Sequence, residues 1–191
     1  MVMKQLSHIN YDESHIYEEQ KAAFRHVFDL LDLDKIAFVG GVADYLNLRD
    51  YYEMPVHDLD IIYEEESDIA PIIDTDGVKR HKSRFYKFNS DEVIVSEFFI
   101  NGKRVHMDYF RRIFYKMHLT QSTLLGKTVW HASFLEMKGF HNNQIEFLTS
   151  EHMKELYDWK RLYKHSKKAA LYNNVSFLEE KNMIHTLNAH Q

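Results

Sequence analysis

Two adjacent glycines, Gly40 and Gly41, follow a short apolar run at 36–39, and the next segment, 42–48, places apolar residues at helical spacing. Glycine lets the backbone turn sharply and approach a ligand closely. The start of a helix carries unpaired backbone N–H groups and a partial positive charge, which together can bind an anion. The feature therefore predicts a strand, a glycine turn and a helix, with a candidate phosphate cradle at the glycines. On its own, the pair of glycines could equally be a simple turn.

Two acidic residues, Asp58 and Asp60, open the next apolar run at 58–63, which we interpret as a strand. Alternate side chains of a strand share a face, so the two carboxylates point the same way and Leu59 faces the opposite side. Taken alone, the pair could be strand-end residues that are solvated or paired with Arg and Lys. A glycine turn upstream and a third acidic residue downstream favour a site instead.

The third acidic residue, Asp108, lies inside a predicted hairpin. Asn-Gly between two apolar runs, 93–100 and 103–110, is a strong signal for a two-residue hairpin turn, because both turn positions need positive φ. Counting back from the turn gives the register of the two strands. The predicted pairs are Ile100 with Lys103, Phe99 with Arg104, Glu97 with His106, and Val95 with Asp108.

A sheet could bring Asp108 alongside Asp58 and Asp60. Two carboxylates ~4 Å apart repel by roughly 4 kcal/mol at an effective dielectric constant of 20. A divalent metal compensates such repulsion, and Mg²⁺ characteristically bridges carboxylates to substrate phosphates. Two such ions can stabilise the attacking and leaving oxygens of a phosphoryl displacement.

The stretches "GGVADYL" and "HDLDIIY", together with the later Asp108, resemble the nucleotidyltransferase superfamily. They are especially similar to its small bacterial branches, the abortive-infection toxin-type enzymes and the minimal aminoglycoside and lincosamide nucleotidyltransferases. The resemblance implies a nucleotidyltransferase fold in which Asp58 and Asp60 hold Mg²⁺ against a nucleoside triphosphate. Asp108 would complete a second metal site or help to activate the acceptor hydroxyl, while Gly40 and Gly41 would cradle the phosphates.

The order of elements predicts an α+β fold, with a small mixed sheet flanked by helices and a helical C-terminal part. Residues 1–115 form the expected core and 116–191 the helical region. A first helix is expected at 16–31 and a further strand at 83–88. From about Tyr115 onward the pattern reads as mainly helical, with one helix capped by Thr149 or Ser150 and running to 163, and a last helix at 175–187.

Several other side chains have a functional and a structural interpretation. Lys160 could reach a phosphate, or it could pack its stem on an apolar stripe and extend its amine to water. Glu97 or His106 could accept the proton of the acceptor, or they could form a structural pair. Asp44 and Asp50 are expected to be solvated helix-end residues. Arg49 is the nearest candidate for the active-site arginine that the resemblance implies. The basic segment 79–87 could contact a triphosphate or RNA, or it could be a solvated surface segment. Trp130 and Trp159 could stack on a base or belong to the core.

Composition excludes several alternatives. The chain of 191 residues has no cysteine, so disulfides, thiolate zinc sites and cysteine nucleophiles are excluded. Its formal charge of -5 argues against bulk binding to nucleic acid or anionic membranes. The start of the chain lacks the apolar core of a signal peptide, and no apolar stretch approaches the ~20 residues that cross a bilayer. A cytoplasmic protein is therefore expected.

Together with these observations, the resemblance implies a Mg²⁺-dependent enzyme that transfers a nucleoside monophosphate, expected to be AMP from ATP, to a hydroxyl of a small molecule. In the implied reaction, the acceptor oxygen attacks the α-phosphorus and pyrophosphate leaves in line. Two alternatives stay open: the same chemistry on tRNA or a protein side chain, and a catalytically silent module that binds a nucleotide or a partner. The sequence does not specify the acceptor, the nucleotide or the oligomeric state.

Overall fold

The structure is a computed structural model. It describes residues 16, 18–49, 58–73, 79–82, 92–100, 103–112, 114–150, 153 and 158–188. The Asn101-Gly102 turn, Asp50 and the strand predicted at 83–88 lie outside the described residues.

Helices and strands follow the predicted order through the first half of the chain. Helix α1 is Glu18–Leu30, strand β1 is Ile36–Val39, and helix α2 is Gly40–Asn47. The elements that follow are β2 (Leu59–Tyr63), α3 (Ala70–Ile73), β3 (Lys79–Lys82), β4 (Glu92–Ile100), β5 (Lys103–Arg111), β6 (Leu119–Leu124), β7 (Lys127–Ala132), α4 (Phe134–Thr149) and α5 (Trp159–Asn188).

The strands of the described residues form one seven-stranded mixed sheet in the order β3-β4-β5-β2-β1-β7-β6. Strand β1 is antiparallel to β2 and parallel to β7, and β2 is parallel to β5. The chain is therefore an α+β protein with a mixed sheet and C-terminal helices, which confirms the predicted fold class. The register predicted for the β4–β5 hairpin is confirmed at all four pairs.

Each central strand contributes to two cores because alternate residues face opposite sides of the sheet. Phe38, Ile61 and Tyr109 belong to a first apolar cluster, which includes the buried residues of α1 and α3. Their neighbours Ile62 and Phe110 belong to a second cluster with residues of α4 and α5. We call these the α1 face and the α5 face. Asp60 and Asp108 have the parity of Ile62 and Phe110, so both lie on the α5 face.

The prediction that the chain is mainly helical after Tyr115 is wrong for its first part. Strands β6 and β7 form a hairpin whose turn residues, Leu125 and Gly126, both have positive φ. This is the turn geometry that matches the twist of paired strands, but Leu-Gly is a weak signal for it because leucine rarely adopts positive φ. The division into domains at 115 and 116 stays a prediction, although β6 and β7 belong to the same sheet as β1.

Helix boundaries in the C-terminal region also differ from the prediction. Thr149 and Ser150 lie at the end of α4, where their hydroxyls donate to the carbonyls of Ile145 and Phe147. Residues 151, 152 and 154–157, which the helix predicted to run to 163 would include, lie outside the described residues. The helix starts are marked by Ser133, which accepts from the backbone N–H of Glu136, and by Asp158, which accepts from that of Arg161. The helix predicted at 175–187 is the second half of the 30-residue α5.

In the described part of the chain, no helix combines the length and apolar character needed to cross a membrane.

Candidate functional site

The two glycines differ in what their backbones contact. Gly40 begins α2 with φ +60, a conformation that L side chains rarely adopt. A Cβ added to Gly40 would lie 1.9 Å from Oδ2 of Asp60, whereas one added to Gly41 would meet nothing within 4 Å. Gly40 is close to Asp60 because Val39, its neighbour in β1, pairs with Asp60 in β2. Only glycine at position 40 leaves room for the Asp60 carboxylate.

Two of the three predicted acidic residues are brought together. Asp60 and Asp108 are register partners on the parallel strands β2 and β5, and they share the α5 face. Asp60 is half-buried, and the side chain of Asp108 is 15% exposed. Asp58 is exposed and lies just before β2 begins. The sheet therefore assembles a pair of carboxylates, with Asp58 at its approach.

His106 connects Asp108 to the neighbouring strand. Its Nε2 lies 2.8 Å from Oδ1 of Asp108, and its Nδ1 lies 3.5 Å from Oε1 of Glu97. The carboxylate of Asp108 can only accept, so Nε2–H of His106 donates to it. His106 and Glu97 are thus cross-strand neighbours as predicted, and His106 orients one oxygen of Asp108.

A cavity of about 450 Å³ opens between the end of β1, α2 and the C-terminal helices. Its wall on the sheet side holds the two glycines and the carboxylate of Asp60. Its opposite wall, from α4 and α5, holds mainly cationic side chains and imidazole rings. The lining residues are Gly40, Gly41, Asp60, Phe140, His141, Asp158, Lys160, Arg161, Lys164, His165 and Lys168. Asp58 and Asp108, both described, lie outside this lining.

The prediction that Asp44 is a solvated helix-end residue is wrong. Asp44 is fully buried, and its Oδ2 lies 2.5 Å from Nζ of Lys168. Its Oδ1 accepts hydrogen bonds from the Tyr172 hydroxyl at 2.9 Å and from Nε2 of His141 at 2.8 Å. Burial works to raise the pKa of Asp44, but the His141 hydrogen bond and the charge of Lys168 outweigh it and lower that pKa to about 2.

A second histidine extends this buried group toward the cavity. Nδ1 of His141 lies 2.9 Å from Nδ1 of His165, and both rings line the cavity. Burial lowers the pKa of His165 to about 3, with further lowering by the neighbouring His141 and then by the positive charges of Arg161, Lys168 and Lys164. His165 is therefore neutral at physiological pH. We call the set Asp44, His141, His165, Lys168 and Tyr172 the buried polar network.

No motif in the sequence points to the buried polar network. Asp44 sits in the predicted helix after the glycines, and the other four members of the network come from α4 and α5, which begin at Phe134 and Trp159. The available signal is compositional only: His165 and Lys168, then Tyr172, recur on α5 at spacings of three and four, which places them on one face of the helix.

Other predicted residues fall into different environments. Lys160 is exposed in the first turn of α5 and lines the cavity. Arg49 binds the backbone carbonyl of Thr123 and stacks over the Tyr45 ring, which ties α2 to β6. Trp159 is 65% exposed, whereas Trp130 packs against the second core cluster. Of the basic segment, residues 79–82 form β3 at the edge of the sheet.

Among the residues with described positions, no group of three or more His, Asp or Glu side chains is close enough to hold a metal ion. The donor set on the α5 face is the pair Asp60 and Asp108. Two carboxylates fit Mg²⁺, which retains waters and takes one or two protein carboxylates together with substrate phosphates. The residues present therefore suit a metal that is completed by a phosphate ligand.

Comparison with known proteins gives two similar solved structures. A candidate nucleotidyltransferase from Thermotoga maritima is 18% identical, with a TM-score of 0.49 over 75% of this chain and 94% of that one. An antigenic nucleotidyltransferase-like protein from Paracoccidioides brasiliensis is 13% identical, with a TM-score of 0.42 over 88% and 89%. No protein-family model and no curated protein sequence matches the chain.

Proposed function

We propose that the chain is a nucleotidyltransferase that moves a nucleoside monophosphate, AMP from ATP in the first instance, to a hydroxyl acceptor and releases pyrophosphate. The observation that carries the proposal is the cavity itself. One wall presents Asp60 beside Gly40, where any Cβ would collide with the Asp60 carboxylate. The other wall presents Lys160, Arg161 and Lys164. A polyphosphate is the common ligand whose negative charge suits cations on one side and a metal-binding carboxylate on the other.

The glycine turn supports the binding of phosphate. Helix α2 begins at Gly40, and its N-cap residue, Val39, makes no side-chain capping bond. The first-turn N–H groups therefore have no capping oxygen from that side chain, and a phosphate oxygen can accept from them. Gly41 lines the cavity with open space around its Cα, so the backbone is accessible to a ligand there.

The carboxylates support the binding of metal. Asp60 and Asp108 would hold Mg²⁺, with Asp58 placed at the edge of the same face to assist through the longer reach of water ligands. When bound, Mg²⁺ supplies charge neutralisation for the triphosphate and for the oxygens that develop charge. His106 keeps the Asp108 carboxylate oriented through its 2.8 Å bond. The protein contributes positioning and electrostatic stabilisation rather than covalent chemistry.

A small-molecule hydroxyl is our first choice of acceptor because the cavity is of the size that encloses ligands of that class. RNA is the second candidate, and one observation favours it. Trp159 and Tyr163 are 65% and 71% exposed on successive turns of α5, next to the cavity-lining Lys160 and Lys164. Exposed aromatic rings beside cations can stack bases and contact the phosphate backbone.

The test is transfer from an α-³²P-labelled nucleoside triphosphate. Each of the four nucleotides is incubated with Mg²⁺ and, in separate reactions, with a panel of hydroxylated small molecules, total tRNA and cell extract. We expect label to move to one acceptor class, with ATP preferred and with complete loss in EDTA. Asp60→Asn should lower the rate by about 10³-fold or more, as expected when a metal-binding carboxylate is removed.

The matched control is Asp29→Asn, which changes an exposed carboxylate of α1 on the opposite side of the sheet. This variant should transfer label at the wild-type rate. Binding of ATP that is equally tight in Mg²⁺ and in EDTA, with no transfer to any acceptor, would contradict the proposal and support a silent nucleotide-binding module.

A further inference from the structure

The proposed transfer requires a group that removes the proton of the attacking hydroxyl. We propose, resting on that proposed function, that His165 is the general base and that His141 and Asp44 hold its ring in the tautomer that can accept the proton. The sequence had suggested Asp108, Glu97 or His106 for this role. His165 lines the same cavity as Asp60 and the two glycines, whereas Asp108 lies outside that lining.

The hydrogen-bond directions follow from the chemistry of the carboxylate. Ionised Asp44 can only accept, so Nε2 of His141 carries the hydrogen of the 2.8 Å bond between them. A charged His141 would add a second buried cation beside a carboxylate that Lys168 already neutralises at 2.5 Å. In the proposed network His141 is the neutral tautomer with its hydrogen on Nε2, so its Nδ1 holds a lone pair.

The tautomer of His165 is set by the same chain of bonds. Only His165 can then supply the hydrogen of the 2.9 Å contact between the two Nδ1 atoms. Its Nδ1 carries the proton and its Nε2 holds a lone pair. Within the described part of the chain, no side chain or backbone group bonds Nε2 of His165, and the residue lines the cavity. The acceptor position thus faces the space that a ligand would fill.

The charges around His165 explain why the base is ready only when substrate is present. On α5, the cations near His165 are Arg161, Lys164 and Lys168, and α4 contributes His141. The carboxylate of Asp44, on α2, is hydrogen-bonded to the far side of His141. The carboxylate of Asp60, on β2, lines the same cavity as His165. Burial and the surrounding positive charges lower the pKa of His165 to about 3. A bound triphosphate offsets these cations, so its negative charge raises the pKa of His165 toward neutrality.

Transfer of the acceptor proton to His165 accompanies attack on the α-phosphorus. The acceptor O–H bond breaks and its proton moves to Nε2 of His165, while the acceptor oxygen forms a bond to the α-phosphorus. The bond from the α-phosphorus to the bridging oxygen breaks, and pyrophosphate leaves with that electron pair. The His165 imidazolium so formed shares its Nδ1 proton with His141. The Asp44 carboxylate, which is hydrogen-bonded to His141, stabilises the resulting positive charge. The proton later passes to solvent or to the released pyrophosphate.

The first test reads the tautomer and protonation of His165 by NMR of the full chain with ¹⁵N-labelled histidine, assigned with the His165→Asn variant. We expect a proton on Nδ1 and none on Nε2 from pH 5 to 8. Addition of Mg²⁺ and the unreactive analogue α,β-methylene-ATP should raise the pKa of His165 by at least about one unit, since several cations are offset. A proton on Nε2 in the free protein, or an unchanged titration when the analogue is bound, would overturn the inference alone.

The second test measures transfer to the acceptor fraction found with labelled nucleotide. Asparagine keeps a donor close to the position of Nδ1, so His165→Asn should fold and bind the analogue within about threefold of wild type, because truncating one ligand-facing ring in a large site changes binding modestly. Its kcat should fall about 10²–10⁴-fold, the usual contribution of a general base, with KM little changed. The acid limb of the kcat–pH profile should disappear.

A rescue experiment and a control separate a chemical role from a structural one. His165→Ala should regain activity with added imidazole, and the rescue should follow the basicity of substituted imidazoles. His118→Gln alters an exposed histidine and should keep wild-type kcat. Full activity in His165→Asn, or loss without rescue in His165→Ala, would overturn the inference. Failure of the wild-type chain to bind any Mg-nucleotide would instead overturn the proposed function, and the inference with it.

Discussion

The two faces of the sheet are built from the same strands but stabilised by different interactions. On the α1 face, buried rings and aliphatic chains from β1, β2 and β5 pack against α1. On the α5 face, an apolar cluster shares the space with Asp60, Asp108 and the buried polar network. Neighbouring residues of one strand, such as Asp60 and Ile61, therefore serve different purposes. Strand alternation lets a small domain place an acidic site against its own core.

The largest effect on stability should come from the buried polar network. Lys168→Met leaves the fully buried Asp44 without its closest cation, and an unpaired buried charge costs about 3–5 kcal/mol. We expect that loss in the free energy of unfolding measured with urea. Adding Asp44→Asn to Lys168→Met should recover most of it, because no unpaired charge remains. A loss below about 1 kcal/mol in the single variant would show that water reaches Asp44.

A comparison within β2 should separate packing from chemistry. Ile61→Ala removes a fully buried side chain on the α1 face and should lower the free energy of unfolding by about 2–5 kcal/mol. Asp60→Asn, one residue earlier, should change it by less than about 1 kcal/mol while abolishing transfer. Urea unfolding and the labelled-nucleotide assay are run on both. Equal destabilisation would mean that the carboxylate is a structural part of the core.

The two glycines provide a matched pair with a smaller effect. Gly40→Ala forces a side chain into positive φ, which costs about 1–2 kcal/mol, and also pushes against the Asp60 carboxylate. It should lower transfer at least about tenfold, since displacement of a positioned group by 1 Å can cost up to 10²-fold. Gly41→Ala, with open space around it, should be neutral or stabilising by up to about 1 kcal/mol. Equal activity in the two variants would contradict the proposed phosphate site.

The smallest effect concerns two neutral histidines. His131 is buried and lies on the α1 face, because it is two residues after Val129 in the same strand. Burial and, to a smaller extent, the charge of Arg49 lower the pKa of His131 to about 4. Because the unfolded chain binds protons near pH 6.5 and the folded chain does not, the stability supplied by His131 and His165 is present above that pH and is lost as pH falls toward 4 and 3. Asp44 adds a loss only between about pH 4 and 2.

Unfolding free energies measured from pH 7 to 4 check this dependence. His131→Gln and His165→Asn should each flatten the slope. Mg²⁺ with α,β-methylene-ATP should change the slope of the wild type but not that of His165→Asn, because His165 lines the cavity and His131 is not part of its lining. A wild-type stability that is independent of pH in this range would show that both histidines are accessible to protons in the folded state.

Much of the α5 face could be predicted because its signals are local. The Asn-Gly turn gave the β4–β5 register, and the register placed Glu97 opposite His106 and Val95 opposite Asp108. Because side chains alternate along β2, the side chain of Asp60 was predicted on the opposite face of the sheet from those of Leu59 and Ile61. The pairing of Asp60 with Asp108 was anticipated as well, since the family resemblance treats them as one site.

The errors at Asp44 and at the β6–β7 hairpin arise because the decisive partner is distant in the chain, whereas the one at Thr149 and Ser150 is a local ambiguity. From its neighbours in the sequence, Asp44 is predicted to be a solvated helix-end residue. Its ion-pair partner, Lys168 of α5, is 124 positions later in the chain. Thr149 and Ser150 are good caps in either direction, and only the hydrogen bonds of the folded helix show that they end it. The β6–β7 hairpin has a turn of unfavourable composition, and pairing with β1 compensates for it.

Local sequence patterns are enough to predict three units of this protein: a strand that ends in glycines, an Asp-Leu-Asp strand and a hairpin that carries Asp108. Each depends on backbone sterics or strand alternation, which act over a few residues. Which side chains come into contact depends on the packing of elements that are distant in the chain. The tertiary structure gave Gly40 its contact with Asp60, buried Asp44 under Lys168 and brought His165 to the cavity that Asp60 lines. Those contacts depend on how α4 and α5 pack on the sheet, and no short stretch of sequence encodes that packing.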